Sequence, residues 1–229
     1  MKRFLSYLIG ELKYVFSGSD FVLDLDWDHA WEVDKPMFHN RFLVTAQVLT
    51  AYKVPLDVVD LGAGGGHLLK YLLKKGIITL ESVGIDSSKT SVNTIRSQGF
   101  NALQCDIMSP DFILKNKPDF ILMTEIIEHI RDIEKLLLKL KSGYNLGIII
   151  TTLNLGYLWY RLRLLFGRFP YLTELPPREH IRFWTTKDFR IWVKQLGFEI
   201  VTVKGCSGFS VLYKIMPSLF AYDVLYLIR

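Results

Sequence analysis

The feature that most restricts how this chain can fold is the stretch Val58-Val59-Asp60-Leu61-Gly62-Ala63-Gly64-Gly65-Gly66-His67-Leu68-Leu69. A β-branched run meets a carboxylate, a glycine-rich turn and then a helical pattern, which predicts strand, loop, helix. Glycines at 62, 64 and 66 let the backbone turn sharply and let a ligand lie against it with no Cβ in the way. A helix opening near Gly66 would also present free N–H groups to that ligand. The same glycines equally suit a tight turn that holds nothing. A dinucleotide fingerprint needs its third glycine at position 67, where this chain has His67, so a nicotinamide reading fits less well than a GxGxG reading.

The rest of the chain supplies enough apolar material for one domain around that loop: 229 residues, 50% hydrophobic and 14% aromatic. Lys+Arg 28 against Asp+Glu 23 leaves a net charge of +5, which suits an anionic partner or a membrane surface without requiring either. Cys105 and Cys206 show no metal-type spacing and fit a reduced, cytoplasmic setting. At the N-terminus, Lys2-Arg3 precedes apolar residues, but Glu11 and Lys13 interrupt them and no small-residue cleavage site follows, so export is not expected. Apolar residues at 4, 5, 8, 9, 12, 15 and 16 predict an amphipathic helix, which either packs on the core or lies in a membrane interface.

In chain order, residues 1–54 read as an N-terminal helical cap, with a polar aromatic loop from Asp24 to His39 and a helix from Asn40 to Tyr52. The main domain follows over 55–229. Strands are expected at Val58–Leu61, Ser82–Ile85, Ala102–Gln104, Phe120–Met123 and Leu146–Thr152, with helices between them to Lys75, to Gln98 and over Arg131–Lys141. That alternation is the rhythm of a parallel α/β sheet. A helix over Thr186–Leu196 and strands over Phe198–Lys204 and Asp223–Ile228 complete the pattern, while the segment between those strands carries no assignable pattern.

Polar residues punctuate the same end of successive strands. Asp86, followed by Ser87 and Ser88, stands about 20 residues beyond the glycine loop, where a carboxylate can accept from both hydroxyls of a ribose or else cap the next helix. Asp106 ends the third strand and can accept from an adenine amino group while Ile107 covers the ring; otherwise it is a turn residue. In open α/β sheets this edge is where ligands bind.

Taken together, Val58 to Gly66, Gly84 to Asp86 and Cys105 to Ile107 resemble the motifs of class I S-adenosylmethionine-dependent methyltransferases, over roughly residues 40–229. The resemblance implies a Rossmann-like, seven-stranded, mostly parallel sheet with helices on both faces and an antiparallel last strand over Asp223–Ile228. It implies S-adenosylmethionine as cofactor. Asp60, Gly62, Gly64 and Gly66 would surround its amino acid part, Asp86 would hold its ribose, and Asp106 and Ile107 would meet its adenine, with Ala63, Ser87 and Thr124 also among the cofactor-binding residues.

The fourth strand runs into Met123-Thr124-Glu125-Ile126-Ile127-Glu128-His129-Ile130, two carboxylates and an imidazole just past the sheet edge. As an imidazole, His129 can take a proton from a hydroxyl or amine, while Glu125 and Glu128 can also simply favour a helix start. His180 follows later, and the fold can bring it near His129. The pattern Glu125-x-x-Glu128-His129 with a later histidine resembles the metal cluster of small-RNA 3′-terminal 2′-O-methyltransferases and, in part, ubiquinone-biosynthesis O-methyltransferases. Glu125, Glu128, His129 and His180 are therefore the candidate catalytic residues and also a candidate set for a divalent metal, although a metal is not the expected cofactor.

An insertion over about 153–180 carries Tyr157-Leu158-Trp159-Tyr160-Arg161-Leu162-Arg163-Leu164-Leu165-Phe166-Gly167-Arg168. Interleaved aromatics and arginines there suit a lid on the core, a lipid-linked or anionic substrate, peripheral contact with a membrane, or a nucleic acid strand. The expectation is a cytoplasmic enzyme moving a methyl group to oxygen or nitrogen of a small or lipid-linked acceptor. RNA methylation and cofactor binding without turnover are the alternatives, with nucleic acid the weaker partner.

Overall fold

The computed structural model describes residues 39–170 and 180–229. The N-terminal amphipathic helix and the Asp24–His39 loop, apart from His39, lie outside the described residues, as does the end of the insertion. The chain opens with α1 (Asn40–Leu49), then β1 (Val58–Leu61), α2 (His67–Lys74), β2 (Val83–Asp86), α3 (Lys89–Ser97), β3 (Asn101–Gln104) and β4 (Phe120–Thr124). A 3-10 turn (Ile127–His129) precedes α4 (Ile133–Leu140), β5 (Gly147–Leu153), α5 (Leu158–Leu165) and α6 (Thr186–Gln195). Then come β6 (Ile200–Gly208), the single-turn helices α7 (Leu212–Ile215) and α8 (Pro217–Phe220), and β7 (Ala221–Ile228).

The seven strands form one sheet in the order β3-β2-β1-β4-β5-β7-β6. The first five run parallel, and β7 lies antiparallel between β5 and β6, with Ile150 opposite Tyr226. This is the expected Rossmann-like sheet with its antiparallel last strand. β4 and β5 read as continuous apolar runs because both of their faces are covered. Ile121, Met123, Ile148 and Ile150 meet Leu136 and Leu140 of α4 and Phe189 and Val193 of α6. Phe120, Leu122 and Ile149 point the other way, toward Leu49 of α1, Leu69 of α2 and Ile95 of α3.

Local chemistry sets the helix ends. Ser88 caps α3 by accepting from the Ser91 amide, and Thr185 caps α6 by accepting from the Asp188 amide. The stretch between the last two strands has no recognisable sequence pattern because α7 and α8 are only four residues each, too short to show a period. Tyr157, Trp159 and Tyr160 on and before α5 join Phe209 in a small third apolar cluster, fixing the insertion to this corner. Arg163 is 1% exposed, so the insertion does not hold all of its arginines in water.

Phe189 stacks on Tyr226 with ring centroids 3.8 Å apart, and both are buried where α6 covers β7. Phe189→Ala is expected to cost about 3–5 kcal/mol, measured as a lowered denaturant midpoint with an unchanged slope.

Candidate active site

The strand order reverses direction between β1 and β4, which leaves a crevice where the two connections part. A cleft of about 520 Å³ opens there, lined in part by Gly62, Asp86, Ser87, Asp106, Ile107 and His129. Its walls therefore come from the ends of β1, β2 and β3 and from the turn after β4. Cys105 and Ile126, from stretches already singled out, also line it, as do Met108 and Arg131, for which the sequence offers no signal because ordinary loop residues carry no period or motif.

The glycine loop is tied to the second strand. The Gly64 N–H donates to Asp86 Oδ2 at 2.9 Å, and the Ser88 N–H donates to Asp86 Oδ1 at 2.8 Å. Asp86 is thereby oriented, and each carboxylate oxygen keeps a lone pair for a ligand hydroxyl. Gly62 has φ +70, and a Cβ there would come within 2.1 Å of Ile126 Cδ1. Gly66 has φ +74 at the head of α2, where a Cβ would lie 2.9 Å from Ile95. Both positions need glycine for conformation and for space.

Asp60 is 1% exposed, and its Oδ1 has no hydrogen-bond partner. Burial first, and then the neighbouring Asp86 charge, push its carboxyl up to about 8. Asp106 gives Oδ1 to the Met108 N–H at 2.8 Å, so it is both turn residue and cleft wall. Thr124 ends β4 opposite Thr151 and does not line the cleft. Ala63 packs behind the loop in the core under α2.

The four acid and imidazole residues divide into two places. Glu128, His129 and His180 offer ligand atoms that all lie within 4.8 Å of one another. The His129 and His180 rings meet edge to face with centroids 4.6 Å apart. Glu125 lies outside this group: its Oε1 accepts from Thr151 Oγ1 at 2.8 Å, and its Oε2 lies 4.0 Å from Arg41. Glu128 Oε2 accepts from Thr152 Oγ1 at 3.2 Å. Adjacent residues of a strand face opposite ways, so the two threonines draw the two glutamates to opposite sides of the sheet edge. Asp223 on β7 hydrogen-bonds Glu125, and burial raises its carboxyl above the usual range. Arg41 and Asp223 escape a reading of the sequence because one looks like a surface helix residue and the other like a strand start.

The His180 ring nitrogens are buried with no hydrogen-bond partner, and burial, then His129, lower its pKa to about 4. Burial raises the Glu128 carboxyl, and Glu125 adds to that. A neutral imidazole, a second imidazole and a carboxyl that readily holds a proton form a set suited to moving a proton, and their donor atoms also suit a divalent ion.

A family model described as "Methyltransferase domain" matches residues 37–203. The chain belongs to the methyltransferase-domain family. By family and fold it is a class I methyltransferase, with S-adenosylmethionine as cofactor. The ubiquinone biosynthesis O-methyltransferase of Pelagibacter ubique is 35% identical over 83 residues, a match spanning 34% of this chain and only a third (33%) of that relative. An S-adenosylmethionine-dependent methyltransferase structure from Archaeoglobus fulgidus superposes with TM-score 0.61 at 17% identity, over 89% of this chain and 99% of that one. The magnesium protoporphyrin IX methyltransferase of Synechocystis, with bound S-adenosylhomocysteine, gives TM-score 0.56 at 16% identity over 99% and 96%.

Asp86 and Gly62 in the cleft wall, with the buried Asp60 and the loop glycines behind it, fit that cofactor. An orphaned buried carboxylate at Asp60, a glycine cradle that a Cβ would fill and an oriented acceptor at Asp86 match an ammonium, a backbone-like tail and a ribose diol. Without the cofactor, Asp60 is a cost to folding. Its folded pKa of about 8 lies above the unfolded 3.8, so the folded state holds a proton that the unfolded state has lost, and stability falls as pH rises between those values. Asp60→Asn is therefore expected to raise the melting temperature of the ligand-free protein, by more at pH 8 than at pH 5. It should also shrink the stabilisation that S-adenosylhomocysteine confers, both read by thermal unfolding.

Proposed function

We propose that this protein transfers a methyl group from S-adenosylmethionine to a hydroxyl or amine of a small or lipid-linked acceptor. The observation that carries the reading is a shared wall. His129 lines the cofactor cleft, whereas Glu128 and His180 line a second, narrower cavity with Tyr160, Leu155 and Phe183, and the two imidazoles touch across the boundary. The cofactor supplies a methyl carbon on a sulfonium. As the acceptor oxygen or nitrogen bonds to that carbon, the carbon–sulfur bond breaks and its electron pair stays on sulfur. The acceptor then gives up its proton, which the His129–His180 pair would receive. His180 stays neutral above about pH 4, so its lone pair is available. Much of the rate would come from holding acceptor and methyl in line. His129→Ala is expected to lower turnover by about 10²–10⁴-fold in an assay of S-adenosylhomocysteine release across a panel of catechol, phenol and amine acceptors. S-adenosylhomocysteine affinity should change far less, and an unchanged turnover would count against the histidine pair.

The orphaned His180 nitrogens and Glu128 Oε1 favour a second reading, in which Glu128, His129 and His180 hold a divalent ion that polarises the acceptor. Chelation separates the two: turnover that survives it is the outcome expected for a histidine base, and loss reversed by added magnesium or manganese is the outcome for the metal.

The cavity behind the histidine pair is about 10 Å³ and would have to open to take an acceptor, but its walls suit the lipid-linked version. Its lining is aromatic and aliphatic apart from Glu128, His180 and Arg182. Phe183 of that lining is also partly exposed, and α5, which gives Tyr160 to the cavity, exposes Leu164 and Leu165, the latter 76%; exposed apolar side chains on an arginine-bearing helix suit a bilayer interface. No helix among the described residues is long and apolar enough to cross a membrane, so contact would be peripheral. Co-sedimentation with phosphatidylglycerol-containing liposomes at low salt is expected, and Leu164→Glu with Leu165→Glu should abolish it.

A further inference from the structure

The segment that carries His180 has almost no regular structure to hold it. Between residues 180 and 185 the one ladder contact is the isolated bridge of Trp184 to Asn154. What fixes it lies two residues on. The Ile181 and Arg182 amides both donate to the Glu128 carbonyl, at 3.0 and 3.2 Å, which joins this segment to the turn that also carries His129. The Arg182 guanidinium then forks onto Glu134 in the first turn of α4, with Nη1 on Oε1 and Nη2 2.8 Å from Oε2. Arg182 Nη2 also donates to the Arg131 carbonyl.

Glu134 is itself anchored from behind, since Trp192 Nε1 on α6 donates to its Oε1 at 2.9 Å. Burial pushes the Glu134 carboxyl up, but hydrogen bonds from Arg182 and Trp192 outweigh that and hold it below its usual range. Three elements thus converge on one carboxylate. An isolated exposed ion pair adds little to stability. A planar two-pronged pair, however, fixes geometry as well as energy, and Arg131 with Asp132 on the same stretch lines the cofactor cleft.

We propose that Arg182 and Glu134 are positioning residues: their fork latches the His180 segment onto the turn bearing His129 and so sets the contact between the two imidazoles. The inference rests on the assignment of that histidine pair to the reacting side of the acceptor cavity. Neither residue touches the proposed reacting atoms; they act through the place of His180. A misplacement of about 1 Å in such a pair costs on the order of 10²-fold in rate.

Amide hydrogen exchange on the whole protein tests the latch without an acceptor. In Arg182→Ala the amides of residues 181 and 182 are expected to exchange at least tenfold faster, with Ile148 to Ile150 of β5 unchanged. Arg182→Lys, which keeps the cation and one bond to Glu134, should recover part of the protection and decides the matter if the alanine variant does not fold. Unchanged exchange in these variants overturns the proposal. In the turnover assay, Arg182→Ala should lose about 10²-fold and Arg182→Lys less. Arg182→Ala combined with His180→Ala should lose no more than His180→Ala alone. Multiplied losses would mean that Arg182 does not act through His180 and would also overturn it. If His180→Ala were fully active, the histidine assignment would fall and with it the positioning role of Arg182, whereas faster exchange in Arg182→Ala would still show that the fork holds the segment.

Discussion

The site depends on one carboxylate that two loops agree on. Asp86 ends β2, accepts the Gly64 N–H from the loop after β1 and accepts the Ser88 N–H where α3 begins. Those bonds hold the glycine turn open as a cradle and keep Asp86 at the cleft wall. They also bring its charge near Asp60, whose carboxyl burial and that charge raise together. The cradle is therefore electrostatically unfinished by itself. A ligand that brings a positive charge to Asp60 and hydroxyls to Asp86 relieves both, and a pyrophosphate would worsen both.

The alternation of a β-strand governs the acceptor side. Because Thr151 and Thr152 face opposite ways, Glu125 is drawn toward Arg41 and Asp223 while Glu128 is drawn toward His129 and His180. Glu125 makes this turn with φ +52, a left-handed backbone in a residue that has a Cβ. A short motif of two glutamates and a histidine thus serves two neighbourhoods, one under α1 and one toward the narrower cavity lined by Glu128 and His180.

Much of this is legible in the sequence, for definable reasons. The strand–loop–helix at Val58 to Leu69 is a local pattern, and so are the acids that end β2 and β3, which is why the sheet and several residues that line its cleft can be read from the residues alone. The division of Glu125 from Glu128 cannot be, since it follows from which face of β5 each threonine presents. Arg41 and Asp223 meet Glu125 only through packing between α1 and the distant last strand, and no spacing records that. Arg163, one of the arginines interleaved with aromatics in the insertion, is buried at 1% exposure because its own helix packs into a corner. Its Nε reaches the Phe169 carbonyl at 3.4 Å.

The central claim is that the loop from Gly62 to Gly66, with Asp86, is built for an adenosyl amino acid and not for a dinucleotide. Calorimetric titration of the protein with S-adenosylhomocysteine, and of Asp86→Ala beside it, tests this most directly. The account predicts saturable binding at one site per chain, weakened at least tenfold in Asp86→Ala, with no binding of NADH. Binding of NADH, or S-adenosylhomocysteine affinity indifferent to Asp86, would contradict it.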